Sequence, residues 1–223
     1  MNAPSPMPIR DYLNEMKYAV EHILPTLWHE QNELRDLEKQ VQAATAQARE
    51  EYHRANFIIL NAEDPEDVMM GVGAHWDSYW GPDKDRHYLS QEAAQLRTRL
   101  AARGFSTTAL AGAILQYGKQ GLSLAYGHPN NWPEGRKIGE VALSVLIRHA
   151  RNQAMHWGEE RSEDDKKKKP YKDMADCFRK LSTLNPVFGD FEKQNLALEV
   201  VELLDWKEYS DFERDLLGTS GQC

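Results

Sequence analysis

Residues 139–157 read GEVALSVLIRHARNQAMHW, and the fold turns on this stretch. At about 100° per residue, Leu143, Leu146, Ile147, Ala150, Ala154 and Trp157 fall within an arc of roughly 100°. That is the apolar stripe of a helix packed on a core. Gly158 stands where such a helix stops. Ser144, Arg148, His149, Arg151, Asn152, Met155 and His156 project to the opposite side. Val141 and Val145 join them there, which predicts first turns buried all round and a polar face confined to the second half.

The polar half holds no carboxylate between Glu140 and Glu159. A solvated helix face ordinarily mixes Glu and Lys so that charges pair at i,i+4. A face of Arg148, His149, Arg151, Asn152 and His156 is instead suited to an anion. The run Arg151-Asn152-Gln153-Ala154-Met155-His156 resembles the RNxxxH form of the Arg–His motif of HEPN domains. The Asn directly after the Arg, the apolar run before it, the His-Trp-Gly ending and the helical surroundings match that family's setting. The resemblance spans residues 151–156 at the level of motif and roughly residues 85–205 at the level of fold. It implies a small α-helical domain, dimeric, of a kind that includes metal-independent endoribonucleases in toxin and antiphage systems. It also implies RNA as substrate and an antitoxin or other protein as partner.

Composition bounds the rest. The chain has 223 residues, 41% hydrophobic and 28% charged, enough for one sizeable core and an appendage. It contains no apolar run near the ~18 residues of a membrane span. The opening MNAPSPMPIR has no apolar h-region, so the expected compartment is the cytoplasm. Cys177 and Cys223 are too few and too distant for a disulfide framework or a zinc knuckle. No metal and no cofactor is expected. Net charge is −8, which opposes bulk attraction to nucleic acid. Residues 136–180, however, carry 12 Lys or Arg against 8 Asp or Glu, so any anion site is local.

Helical spacing recurs from end to end and predicts an all-α chain: a HEPN-like helical bundle with a long N-terminal helical hairpin arm. Residues 1–80 are expected to form the arm and residues 81–223 the HEPN-like domain. Tyr12, Met16, Ala19, Val20, Ile23 and Leu24 predict a first helix, with Pro25 kinking it or starting the next. A heptad over residues 27–58 has acidic residues at two of its ten seam places, which fits a hairpin better than a free zipper. The stretch His75-Trp76-Asp77-Ser78-Tyr79-Trp80 is read as an aromatic anchor rather than a platform for bases. Ser90 is expected to cap a helix ending at Gly104, and Ser106 or Thr107 to open another containing Gly112, Gly118 and Gly121. Three internal glycines suggest close approach of a second helix, the motif helix being the expected neighbour. Tyr117, Lys119 and Tyr126 are candidates to reach a nucleic acid, although a Tyr in such a helix is more often a core or interface residue. Residues 127–135 predict a loop, and residues 159–170 a charged one. Clusters around Cys177, Val200 and Phe212 predict three short helices.

The chemistry follows from residue type. Imidazole exchanges a proton near neutral pH, so His156 is the general acid or base. Arg151 suits bidentate contact with a phosphate on which charge develops. Asn152 would orient His156 or a phosphate oxygen. Arg148 and His149 are supporting phosphate contacts, and Lys166, Lys167, Lys168 and Lys169 a phosphate-tracking flap. Arg151 and His156 lie about 140° apart around a helix, so one chain offers a spread-out cluster. A second copy supplying its own pair across a two-fold axis makes the site compact, and the resemblance implies that homodimer. The expected reaction is attack of a 2′-OH on its own phosphodiester. A non-catalytic dimer that binds RNA, a nucleotide or a protein is the alternative, and a helical adaptor built on the arm a third reading.

Overall fold

The apolar spacing that begins at Ile9 is realised in the computed structural model as one unbroken helix, α1 (Ile9–Leu60), with Pro25 inside it. Pro25 neither ends nor restarts the helix. Its face is exposed, so the carbonyl it leaves without an N–H partner meets water, and Thr26 Oγ1 donates to His22 O at 2.7 Å beside it. Val20, Leu24 and Leu27 are fully buried on the other face, and that packing offsets the ~3 kcal/mol a helical proline costs.

The structure describes residues 6–61, 69, 72–73, 82–160 and 162–219. The aromatic stretch His75–Trp80 and Cys223 lie outside these. Among the described residues the chain is all-α, with seven helices and one two-stranded ribbon. No helix among them is long and apolar enough to cross a membrane.

The second long helix, α2 (Pro82–Tyr126), corrects the expectation of two helices divided at Gly104. Ser90 lies within it rather than at its start. No proline stands between Gly104 and the end of the helix, and a single internal glycine costs only about 1 kcal/mol, so the helix runs on. After a loop containing a 3-10 turn (Pro129–Asn131) come β1 (Lys137–Ile138) and β2 (Val141–Ala142), antiparallel and paired Lys137 to Ala142 and Ile138 to Val141. Gly139, at φ +57°, makes the tight turn between them, a backbone that L side chains resist. This ribbon, too short to show as alternation, takes the first residues of the quoted stretch. The motif helix α3 therefore spans Leu143–His156. The charged segment forms α4 (Glu163–Lys167), followed by α5 (Lys169–Ser182), a 3-10 turn (Pro186–Asp190), α6 (Ala197–Leu203) and α7 (Tyr209–Gly218).

The chain divides into two compact units. One comprises Met1–His29 with Phe105–Cys223, the other Glu30–Gly104. The start of α1 is core to the first unit. There Tyr12 Oη donates to Tyr117 O at 2.8 Å, Tyr209 Oη to Leu13 O at 3.0 Å, and Trp28 Nε1 to Trp206 O at 2.9 Å. In the second unit Arg103 pairs with Glu30 at 3.5 Å and Glu33 at 3.8 Å, which ties the end of its α2 segment to the start of its α1 segment.

The first unit is built around α3. Leu143, Leu146, Ile147 and Ala150 are buried, as the stripe predicts, each Leu or Ile contributing on the order of 2 kcal/mol. Val145 is 41% exposed and Trp157 43%, so the first turns are not buried all round and the stripe fades at its end. A methyl placed on Gly118 would stand 3.4 Å from Ile147 Cγ2, and one on Gly112 4.0 Å from Ala154 Cβ. As the position on α2 rises from 112 to 118, its neighbour on α3 falls from 154 to 147. The two helices are antiparallel neighbours, as the glycines suggest. Gly121 instead faces the Tyr12 ring of α1.

Candidate functional site

One helical turn separates Arg148 from Arg151 on α3, and one separates Gln116 from Lys119 on α2. The antiparallel register sets these two pairs side by side. Arg151 Nε donates to Gln116 Oε1 at 2.5 Å, and its Nη1 to Asn152 Oδ1 at 3.3 Å. The guanidinium is thus held by two neutral amides rather than by Glu159 or Asp165. Among the described residues, no salt bridge reaches Lys119, Arg148 or Arg151. Burial first, then Arg151 and Arg148, pull the Lys119 ammonium below its ordinary range. Gln116 carries no sequence signal; its role comes from a contact across 35 positions.

His156 sits apart from this group. Its Nδ1 donates to Glu159 Oε1 at 2.7 Å, on the exposed surface just past the end of α3. That bond leaves Nε2 as the nitrogen open to a substrate. The imidazole borders a cleft of about 170 Å³ with Trp157, Lys166, Tyr171 and Phe191. Arg151 and His156 therefore engage different neighbours within one chain, as the spacing on the helix requires.

Two residues take other parts than the sequence suggests. His149 is 5% exposed, so it is no surface contact for phosphate. Burial first, and then Arg148, push its imidazole down to about 4, against the opposing pull of Asp173, so it is neutral at pH 7. Gln153, inside the motif but not singled out by it, is buried at 1% exposure. Its Nε2 donates to Phe191 O at 2.7 Å and Gln194 O at 2.6 Å, while its Oε1 accepts from Leu196 N at 3.0 Å. Asn195 Nδ2 donates to Ala154 O at 3.0 Å beside it. These bonds stitch the motif helix to the chain entering α6. A polar residue on the inner half of a helix is the sequence signal for such a clamp.

The four lysines are partly neutralised locally. Lys166 pairs with Glu163 at 3.3 Å, Lys167 with Asp164 at 3.0 Å and Lys168 with Asp165 at 2.6 Å. The turn of α4 brings each lysine over the acid three residues earlier. Ser162 caps this helix by accepting from Asp165 N at 3.1 Å. Exposed pairs of this kind are weak, because water screens both charges, so they leave the lysines available to another anion. Lys169 begins α5 and is exposed.

Set against protein-family models, curated proteins and solved structures, the chain matches none. Groups of three or more potential metal ligands are absent among the described residues.

Proposed function

We propose that this chain is a HEPN-like, metal-independent endoribonuclease that acts as a homodimer, in the manner of a toxin or defence effector. The observation that carries the reading is the Arg151 guanidinium, fixed by Gln116 and Asn152 without a carboxylate. A guanidinium oriented by neutral groups keeps its charge for a phosphate. The His156–Glu159 pair supports a proton-transfer role, because a carboxylate on Nδ1 sets the tautomer and leaves Nε2 as the proton-accepting nitrogen.

In the proposed reaction, His156 Nε2 takes the proton of a ribose 2′-OH. The oxygen attacks the adjacent phosphorus, and the bond from phosphorus to the 5′ oxygen breaks. The products are a 2′,3′-cyclic phosphate and a 5′-OH, the leaving oxygen taking a proton from water while the His156 imidazolium returns its own to solvent. Arg151 of the second copy would stabilise the charge that builds on the phosphoryl oxygens, since one chain holds Arg151 and His156 against different neighbours.

Incubation of the purified chain with RNA in EDTA tests the reading. Cleavage that leaves cyclic phosphate ends, and falls by 10²-fold or more in Arg151→Ala and His156→Ala, is the expected result. Intact RNA with folded protein overturns it. The separation of Arg151 from His156 favours, as second reading, a dimer that binds RNA without cutting it; retained RNA binding in the absence of cleavage would mark that case.

A further inference from the structure

Three cations held together without an acid raise the free energy of the folded chain unless an anion joins them. The register of α2 against α3 sets Lys119 beside the Arg148 turn and Gln116 beside Arg151, and the bond from Arg151 to Gln116 fixes the pair of helices at that point. All three cations are partly buried, so the surrounding water screens them less than it would on an open surface. Lys166, Lys167, Lys168, Lys180, Lys193 and Lys207 each have an acidic partner within 4 Å.

We propose that Lys119, Arg148 and Arg151 form one phosphate cradle spanning α2 and α3, with Lys119 a binding residue in its own right. The two arginines come from the motif helix, whereas Lys119 reaches the cradle from a helix outside the motif. Phosphate fits this cradle better than carboxylate does. Its tetrahedral free oxygens, two on a phosphodiester and three on a terminal phosphate, spread in three dimensions to accept from two planar guanidiniums and one point-like ammonium, whereas a carboxylate's two lie in one plane. The net charge of −8 makes the attraction local, so the cradle selects a phosphate that arrives there and does not coat the protein in nucleic acid. The proposal rests on the RNA reading only for the source of the phosphate: a polynucleotide backbone and free pyrophosphate share the same chemistry.

The test uses a 2′-O-methyl oligouridine, which cannot be cut by 2′-OH attack, and inorganic pyrophosphate as a second probe. Binding of the labelled oligonucleotide to the full chain is followed by fluorescence anisotropy over a range of KCl concentrations. Lys119→Gln lowers the slope of log K against log salt by about 0.7, the loss of one single-strand phosphate contact, and Lys119→Arg restores it. Pyrophosphate that stabilises the wild-type chain to heat, but not Lys119→Gln, while the oligonucleotide fails to bind, supports the cradle with free phosphate as its source. Lys119→Gln binding both probes as the wild type does overturns the proposal. So does an equal loss of slope in Lys207→Gln, whose lysine pairs with Asp205, because the effect would then be diffuse surface charge. Binding that depends on Lys119 in a chain that leaves ordinary RNA intact keeps the cradle and removes the nuclease. Cleavage by a chain whose binding ignores Lys119 does the reverse.

Discussion

Replacing Gln153 with Leu removes three hydrogen bonds at once, all made inside the protein: two from Nε2 to the carbonyls of Phe191 and Gln194, one to Oε1 from the Leu196 N–H. At about 1 kcal/mol net for each, the bonds themselves amount to about 3 kcal/mol. The buried Leu196 N–H is also left without a partner, at a further cost of about 1 kcal/mol or more, which the added apolar surface of Leu roughly offsets. The expected loss is about 3 kcal/mol. Urea denaturation followed by tryptophan fluorescence reads it as a fall in midpoint of about 1 to 1.5 M. Coincident curves by far-UV circular dichroism check the two-state treatment. Gln153→Glu is expected to be worse at pH 7, because a carboxylate oxygen would face two carbonyl oxygens, and to recover in part in acid as its hydroxyl donates to one of them. A loss below about 0.5 kcal/mol in Gln153→Leu would refute the clamp and make the motif helix independent of the chain entering α6.

Gly121→Ala puts a Cβ 2.6 Å and 2.8 Å from two carbons of the Tyr12 ring, which its own bond to Tyr117 O holds in place; a loss of about 2 kcal/mol by thermal or urea unfolding is expected, smaller in the Tyr12→Leu background. His149 gives a pH dependence. Its imidazole falls from 6.5 to about 4 on folding, so the unfolded chain takes up a proton that the folded one refuses. Its contribution is complete above pH 6.5 and is lost as pH falls towards 4, by about 3 kcal/mol in all, and His149→Leu should flatten that part of a urea-midpoint profile. Arg136→Met leaves the buried Asp215 without its two guanidinium bonds, at 2.7 Å and 2.8 Å, though it keeps Trp206 Nε1; with Arg136 itself half exposed, about 2 kcal/mol of stability is expected to go, read by urea denaturation.

Local periodicity carried much of the helix count. Leu143, Leu146, Ile147 and Ala150 repeat at helical spacing, and each ends buried, because a 3.6-residue period is a property of the chain alone. The helices around Cys177, Val200 and Phe212 were legible for the same reason. Breaks were less legible. Pro25 and Gly104 are both helix-interior, since the cost of each is a few kcal/mol or less and packing elsewhere decides whether it is met. Val145, which the projection placed among residues buried all round, is exposed, because which side of a helix is covered depends on what lies next to it.

By itself the sequence determined an all-α chain, a helix with an acid-free run from Val141 to Gly158, and the angle that keeps Arg151 and His156 from stacking. Only the tertiary structure decided that Gln116 holds Arg151, that the register of α2 against α3 sets Lys119 beside the Arg148 turn, that His149 is sealed from solvent and that Gln153 is a clamp. The division has a physical reason. Periodicity and charge order are written along one helix, whereas the partner of a side chain is set by the register between two helices distant in sequence, such as the one that brings Gly118 to Ile147 and Gly112 to Ala154.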